Sequence, residues 1–274
     1  SMNGYADSNF KGTYIPDPWD KSMQPSKELN SYFDFIKAQV QGTGKGDAIS
    51  FLKFMLKHGL SLKTCFKITI QLCSEIFDSG KKWKRAFILD WIQLDVFKHF
   101  YKKDSPDFST FFSNSTAHIQ HTLWTESFPE DFPQYVEKQI QGNPMLEAYK
   151  NHDKILGNIL KLAENKTEIA MCTALSQQPY TKNVKCFYHI HDFDKLKSTL
   201  AIPGNPKYIP VMAEQFHIRF DNEAEVNAAF KHLSNFEMLN SSYFYEGSNK
   251  IFSMTIDKNT LHIKNRCTKE VEKD

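Results

Sequence analysis

Two periodicities divide this chain. Up to about residue 164, apolar side chains recur every three to four positions; beyond about residue 184, many alternate. The first spacing predicts amphipathic helices and the second half-buried strands. Ser26 offers a cap for a helix over 28–40, whose apolar positions are Leu29, Tyr32, Phe33, Ile36 and Val40. Further helices are predicted over 47–58, 61–78 and 81–103. The last carries Trp83, Phe87, Ile88, Trp91, Leu94, Val96 and Phe97 on one stripe, the pattern of a face packed on a core. Asn143 and Pro144 start a helix over 144–164. Two shorter helices are predicted at 192–200 and 222–235, the second capped by Asp221 or Asn222. Short apolar runs at 108–112 and 169–173 read as buried strands. Alternating runs at 184–190, 215–220, 243–246, 251–256 and 261–264 read as further strands. The last two form a hairpin through Asp257, Lys258 and Asn259.

These elements predict an α/β fold: a mostly parallel sheet flanked by helices, with a helical amino-terminal part and an α+β carboxy-terminal part containing the hairpin. Residues 1–26 are an extended arm, since Pro16 and Pro18 exclude a helix; Tyr14, Ile15 and Trp19 anchor it. Residues 27–183 form the α/β core with a helical insertion, 184–266 the α+β region, and 267–274 a charged, frayed tail. The strands at 108–112 and 169–173 are expected to be parallel neighbours joined by the 144–164 crossover helix. Ligands bind outside the strand ends of such units. Asn114, His118, His121 and the Ser176–Gln177 loop are therefore expected to converge on one cleft.

Composition narrows the possible chemistry. The formal net charge of +2 gives no electrostatic case for a nucleic-acid partner. The only arginines are Arg85, Arg219 and Arg266. Five cysteines without a CxxC pair read as free thiols of a reducing, cytoplasmic compartment. No apolar run approaches the roughly twenty residues that span a bilayer. Three glycines at 42, 44 and 46 lack the spacing of a phosphate loop and follow a helix rather than a strand.

The candidate site residues each have a plainer reading. His118 and His121, spaced i and i+3, can share a metal on a helix or turn, or simply lie on a surface. His189 and His191 share a strand face near Asp192 and Asp194, or mark a solvated strand end. His217 faces opposite to Phe216 and Ile218, toward the cleft or into a structural hydrogen bond. Ser176 follows a strand but has no GxSxG elbow and no assignable base, so a capping hydroxyl is the stronger reading. Glu126, Glu130 and Asp131 are either an acid–base cluster or a prolyl turn. Lys81, Lys82 and Lys84 are the solvated start of a helix, with a phosphate or partner contact as the lesser reading.

The order from Phe111 to Trp124, then Tyr149, Asp153, Leu156 and Gly157, then 169–178 resembles the phosphodiesterase, nucleotide pyrophosphatase and sulfatase group of the alkaline phosphatase superfamily. Uncharacterised bacterial relatives, in which Pro16-Asp17-Pro18-Trp19 and Leu175-Ser176-Gln177-Gln178 recur, are the subset it resembles most. The resemblance implies a divalent metal (zinc, manganese or magnesium) at His121, with Trp124 as the following aromatic. The family's aspartate falls on Ala117, leaving Asn114 and His118 to compensate. Its Asp-His-Gly falls on 174–177, where no carboxylate or imidazole stands. No counterpart of the nucleophile is recognisable in residues 1–107.

Two functions follow from that resemblance. One is a metal-dependent hydrolase of small phosphate or sulfate esters, or a fragment of one whose amino-terminal half is missing or supplied by a partner. The other is a catalytically inactive binding or assembly module of the same architecture. Two-metal hydrolysis needs several anionic and imidazole ligands, so little turnover is expected from this set.

Overall fold

The computed structural model describes residues 10–18, 23–41, 46–133, 140, 142–164, 167–173, 176–179, 184–185, 190, 192–211, 215–236, 252–265 and 268–269. The chain forms two compact units, residues 1–37 with 45–179, and residues 38–44 with 180–274.

The first unit is helical. A 3-10 turn (Lys27–Leu29) leads into α1 (Asn30–Gln41), followed by α2 (Ala48–Lys57) and α3 (Leu62–Phe77). A second 3-10 turn (Ser79–Lys84) runs into α4 (Arg85–Asp104); α5 (Ser115–Thr122), α6 (Trp124–Ser127) and α7 (Pro144–Ala163) complete it. Local chemistry sets the starts. Asp47 Oδ1 accepts the amides of Ile49 and Ser50 at 3.1 and 3.0 Å, opening α2. Ser61 Oγ accepts the Thr64 amide at 3.1 Å to open α3, and Asn143 Oδ1 accepts that of Leu146 at 2.9 Å to open α7. Helix α4 is the axis of the unit. Ile92, Val96 and Phe100 pack with Leu29, Tyr32, Phe54 and Met55, while Trp91 and Leu94 pack with Ile155 of α7.

The second unit contains α8 (Phe193–Thr199), β2 (Lys207–Pro210), β3 (Gln215–Arg219), α9 (Glu223–Leu233), β4 (Phe252–Asp257) and β5 (Thr260–Asn265). Its sheet has the order β2-β3-β5-β4, with every neighbouring pair antiparallel. A two-stranded ladder joins β1 (Val184–Lys185) to β6 (Thr268–Lys269). Ile218 pairs with Leu261 and Phe216 with Ile263, so one sheet face is apolar. Val226, Ala229 and Leu233 of α9 join that face in a closed core. Asn222 is the cap of α9, accepting the Glu225 amide at 2.9 Å. Asn259, in the expected β4–β5 turn, donates to Phe220 O at 2.7 Å and ties the hairpin to β3.

The expected α/β fold is overturned. The only extensive sheet among the described residues is small and antiparallel, and the rest is mostly helix. Residues 108–112 and 169–173, expected as parallel strands, have no strand partner and lie in irregular chain. Neither run is buried: Phe108 and Met171 are largely exposed, and only Phe111 packs inward, against Phe97. The 144–164 helix is therefore no βαβ crossover. Thr268 and Lys269, assigned to a frayed tail, pair with β1. The strand expected at 243–246 and the carboxy-terminal half of that at 184–190 fall almost wholly outside the described residues, as do His189 and His191.

Candidate functional site

Helix α5 carries the histidines of the expected site, and a buried carboxylate fixes its start. Asp90, 3% exposed on α4, accepts the hydroxyls of Ser113 and Ser115 at 2.5 and 2.6 Å. The amides of Asn114 and Ser115 lie 3.4 Å from its two oxygens. Asp90 thus supplies, from another helix, the negative charge that a helix start favours. Asn114 occupies the cap position itself, with its side chain making no cap bond.

His118 and His121 follow on successive turns. His118 is held below the usual imidazole range, first by the protein packed around it and then by the neighbouring charge of His121. The residue as a whole is nevertheless exposed to solvent. The Nε2 of His121 lies 3.2 Å from Nε2 of Gln177. An amide nitrogen only donates, so His121 accepts there and carries its proton on Nδ1. The structure therefore places Gln177 beside His121, in a bond that occupies one of its two potential ligand nitrogens. Ser176 is exposed beside it in the chain. His217 lies in the other unit, on β3, opposite in facing to Phe216 and Ile218; its ring centroid lies 4.0 Å from that of His262, the two rings tilted. Among the described residues, no group of three or more His, Cys, Asp and Glu side chains is placed to hold a metal ion. The donor set thus does not fit the divalent centre that the resemblance implies. Glu126 is buried and accepts the Thr125 hydroxyl at 2.9 Å, while Glu130 and Asp131 are exposed, so these acids do not form a shared acid–base pair.

A different feature stands out in the helical unit. Helix α3 is turned inside out. At about 100° per residue, Leu72, Ile76, Leu62, Cys73, Phe66, Phe77 and Ile70 fall within an arc of roughly 160°. All of them are exposed; Leu62, Ile76 and Phe77 are 88%, 81% and 90% open to solvent. The inward side carries one apolar anchor, Ile68, packed on the core, among polar groups. Thr64 and Gln71 are buried there. Gln71 Nε2 donates to Lys81 O at 2.9 Å and to Glu75 Oε1 at 2.8 Å, and Glu75 is clamped by Arg85. Lys67 and Lys63 reach back over the Trp91 ring at 4.3 and 5.1 Å. Asp95 Oδ2 accepts the Ser61 amide at 2.9 Å and pins the start of the helix. Neighbouring α2 adds exposed Ile49, Leu52 and Leu56 on the side away from its buried Phe54 and Met55. Sequence periodicity shows that α3 has an apolar face; it does not show that polar tethers hold that face outward.

Neither a family model, a curated protein nor a solved structure matches this chain. Among the described residues, no helix is long and apolar enough to cross a membrane.

Proposed function

We propose that this chain is a non-catalytic assembly module that docks a partner protein on the outward apolar face of α3. The inversion of α3 supports this reading. Soluble surfaces expose apolar residues singly, whereas a contiguous strip of this kind marks an interaction surface. Leaving it in water forgoes roughly 1.5–3 kcal/mol for each large side chain that a partner could bury. The polar tethers to Asp95, Lys81 and Trp91 fix the orientation, so the face is presented rather than collapsed inward.

The occupant is a protein with an apolar strip and an acidic border. Lys53, Lys57 and Lys82 are exposed on the elements flanking α3. A second copy of this face would bring those like charges together, which opposes self-association. An interfacial membrane helix directs its lysines outward to headgroups. Here Lys63 and Lys67 are turned back onto Trp91. The hydrolase alternative drew on a βαβ frame, which is not found among the described residues.

Photo-crosslinking from position 66 in cells, followed by reconstitution of the captured pair from purified proteins, tests the proposal. A saturable one-to-one complex is expected, weakened at least 100-fold by Phe66→Lys with Ile76→Lys. Crosslinks confined to this chain itself, adsorption of the purified chain to anionic vesicles alone, or a complex indifferent to these substitutions would overturn it.

A further inference from the structure

A second feature lies within the helical unit, beside the docking face, with which it shares Ile70. A cavity of about 330 Å³ opens where α3, α4 and α7 meet. Four of its lining residues are Lys67, Lys84, Lys150 and Lys154. Lys84 Nζ is 2.7 Å from Glu147 Oε2, so that pair is internally balanced. Lys67, Lys150 and Lys154 have no carboxylate in ion-pair range among the described residues. Three cations around one hollow repel one another, and a bound anion relieves that repulsion. Consistent with this crowding, Lys67 is held below the usual lysine range, first by burial and then by the charges of Lys154 and Lys63.

Asn151 also belongs to the cavity wall. Its side chain is over nine-tenths buried. Its Oδ1 accepts the indole N–H of Trp91 at 2.8 Å. Indole can only donate, so the orientation of the amide is fixed. That leaves Nδ2 as a buried donor with no partner. Buried donors are nearly always paired; this one lies behind the cavity wall, closed off from solvent. The lining also includes Ile70, Phe87 and Ile88, an apolar wall of the kind that receives the body of a small molecule.

We propose that this cavity binds a small organic phosphate, its dianionic head among Lys67, Lys150 and Lys154 and its body against Ile70, Phe87 and Ile88. Lysines act here as point charges, which suits a phosphate head without requiring bidentate geometry.

Calorimetric titration of the full chain with phenyl phosphate and with inorganic phosphate tests this. Phenyl phosphate is expected to bind one to one with Kd below about 1 mM, and inorganic phosphate roughly tenfold more weakly. Lys150→Ala and Lys154→Ala should each weaken phenyl phosphate by roughly tenfold, the loss expected for one charge-assisted contact. Asn151→Asp keeps an acceptor for Trp91 while adding a negative charge, and should abolish binding. Lys161→Ala, on the same helix outside the cavity, should leave affinity unchanged; circular dichroism checks that each variant stays folded. Absence of saturable binding, equal loss in Lys161→Ala, or unchanged affinity in both Lys150→Ala and Lys154→Ala would overturn the site. Equal affinity for the two probes would overturn the assignment of the apolar wall.

Discussion

Helices α9 and α3 have the same amphipathic period and opposite fates. In α9, Val226, Ala229 and Leu233 lie against Ile218, Leu261 and Ile263 of the sheet, and its acids and lysine face water. Within residues 180–274, Ile256 is the only large hydrophobic counted as exposed among the described residues. In α3 a largely polar side, with Ile68 as its apolar anchor, is held inward and the main apolar face is left open. One helix completes a core; the other withholds its apolar face from its own chain. A hydrophobic stripe therefore reports that something covers it, and not whether that cover is intramolecular.

The sharpest way to break the comparison is to remove packing from the closed core. Leu261→Ala should cost about 2–5 kcal/mol, measured by denaturant unfolding, because Leu261 is fully buried between α9 and the sheet. Asp90→Ala should cost about 1.5–3 kcal/mol and expose the amides at the start of α5 to hydrogen exchange, since several donors lose one buried acceptor. The caps are a smaller matched pair. Asn143→Ala in the helical unit and Asn222→Ala in the sheet unit should each cost about 1 kcal/mol in unfolding experiments.

The smallest expected effect is pH-dependent. His118 and His99 are both held below the ordinary imidazole range, in each case chiefly by burial. The unfolded chain then binds protons near pH 6.5 that the folded chain refuses. Stability from these groups is present above pH 6.5 and declines as pH falls toward their folded values. Melting temperature should thus drop modestly between pH 8 and pH 5, with a flatter profile in His118→Gln and His99→Gln. A profile that rises toward pH 5 and flattens in those variants would reverse the assigned sign.

The long helices were legible because periodicity, caps and prolines agreed. The 144–164 expectation meets Pro144–Ala163, and the β4–β5 hairpin was marked by its Asp257–Asn259 turn. Strand β2 was missed because Pro206 and Pro210 argue against a strand; as an edge strand it has no inner ladder to break. The runs at 108–112 and 169–173 misled because a short apolar run does not carry its partner with it. The proximity of His118 to His121 was legible from i, i+3 spacing, and Gln177 was placed near them for a reason that failed, the parallel sheet. The lysine cavity was invisible because its residues come from three separate stretches of chain, joined only when α3, α4 and α7 pack.

The central claim is that the apolar face of α3 contributes nothing to the stability of its own chain. Denaturant unfolding of the triple variant Phe66→Gln, Ile76→Gln, Phe77→Gln tests it most directly. The inverted helix predicts a change within about 0.5 kcal/mol per site, the ordinary range for surface substitutions. A loss of about 2 kcal/mol or more per site, the cost of emptying a core, would show that the chain buries this face itself.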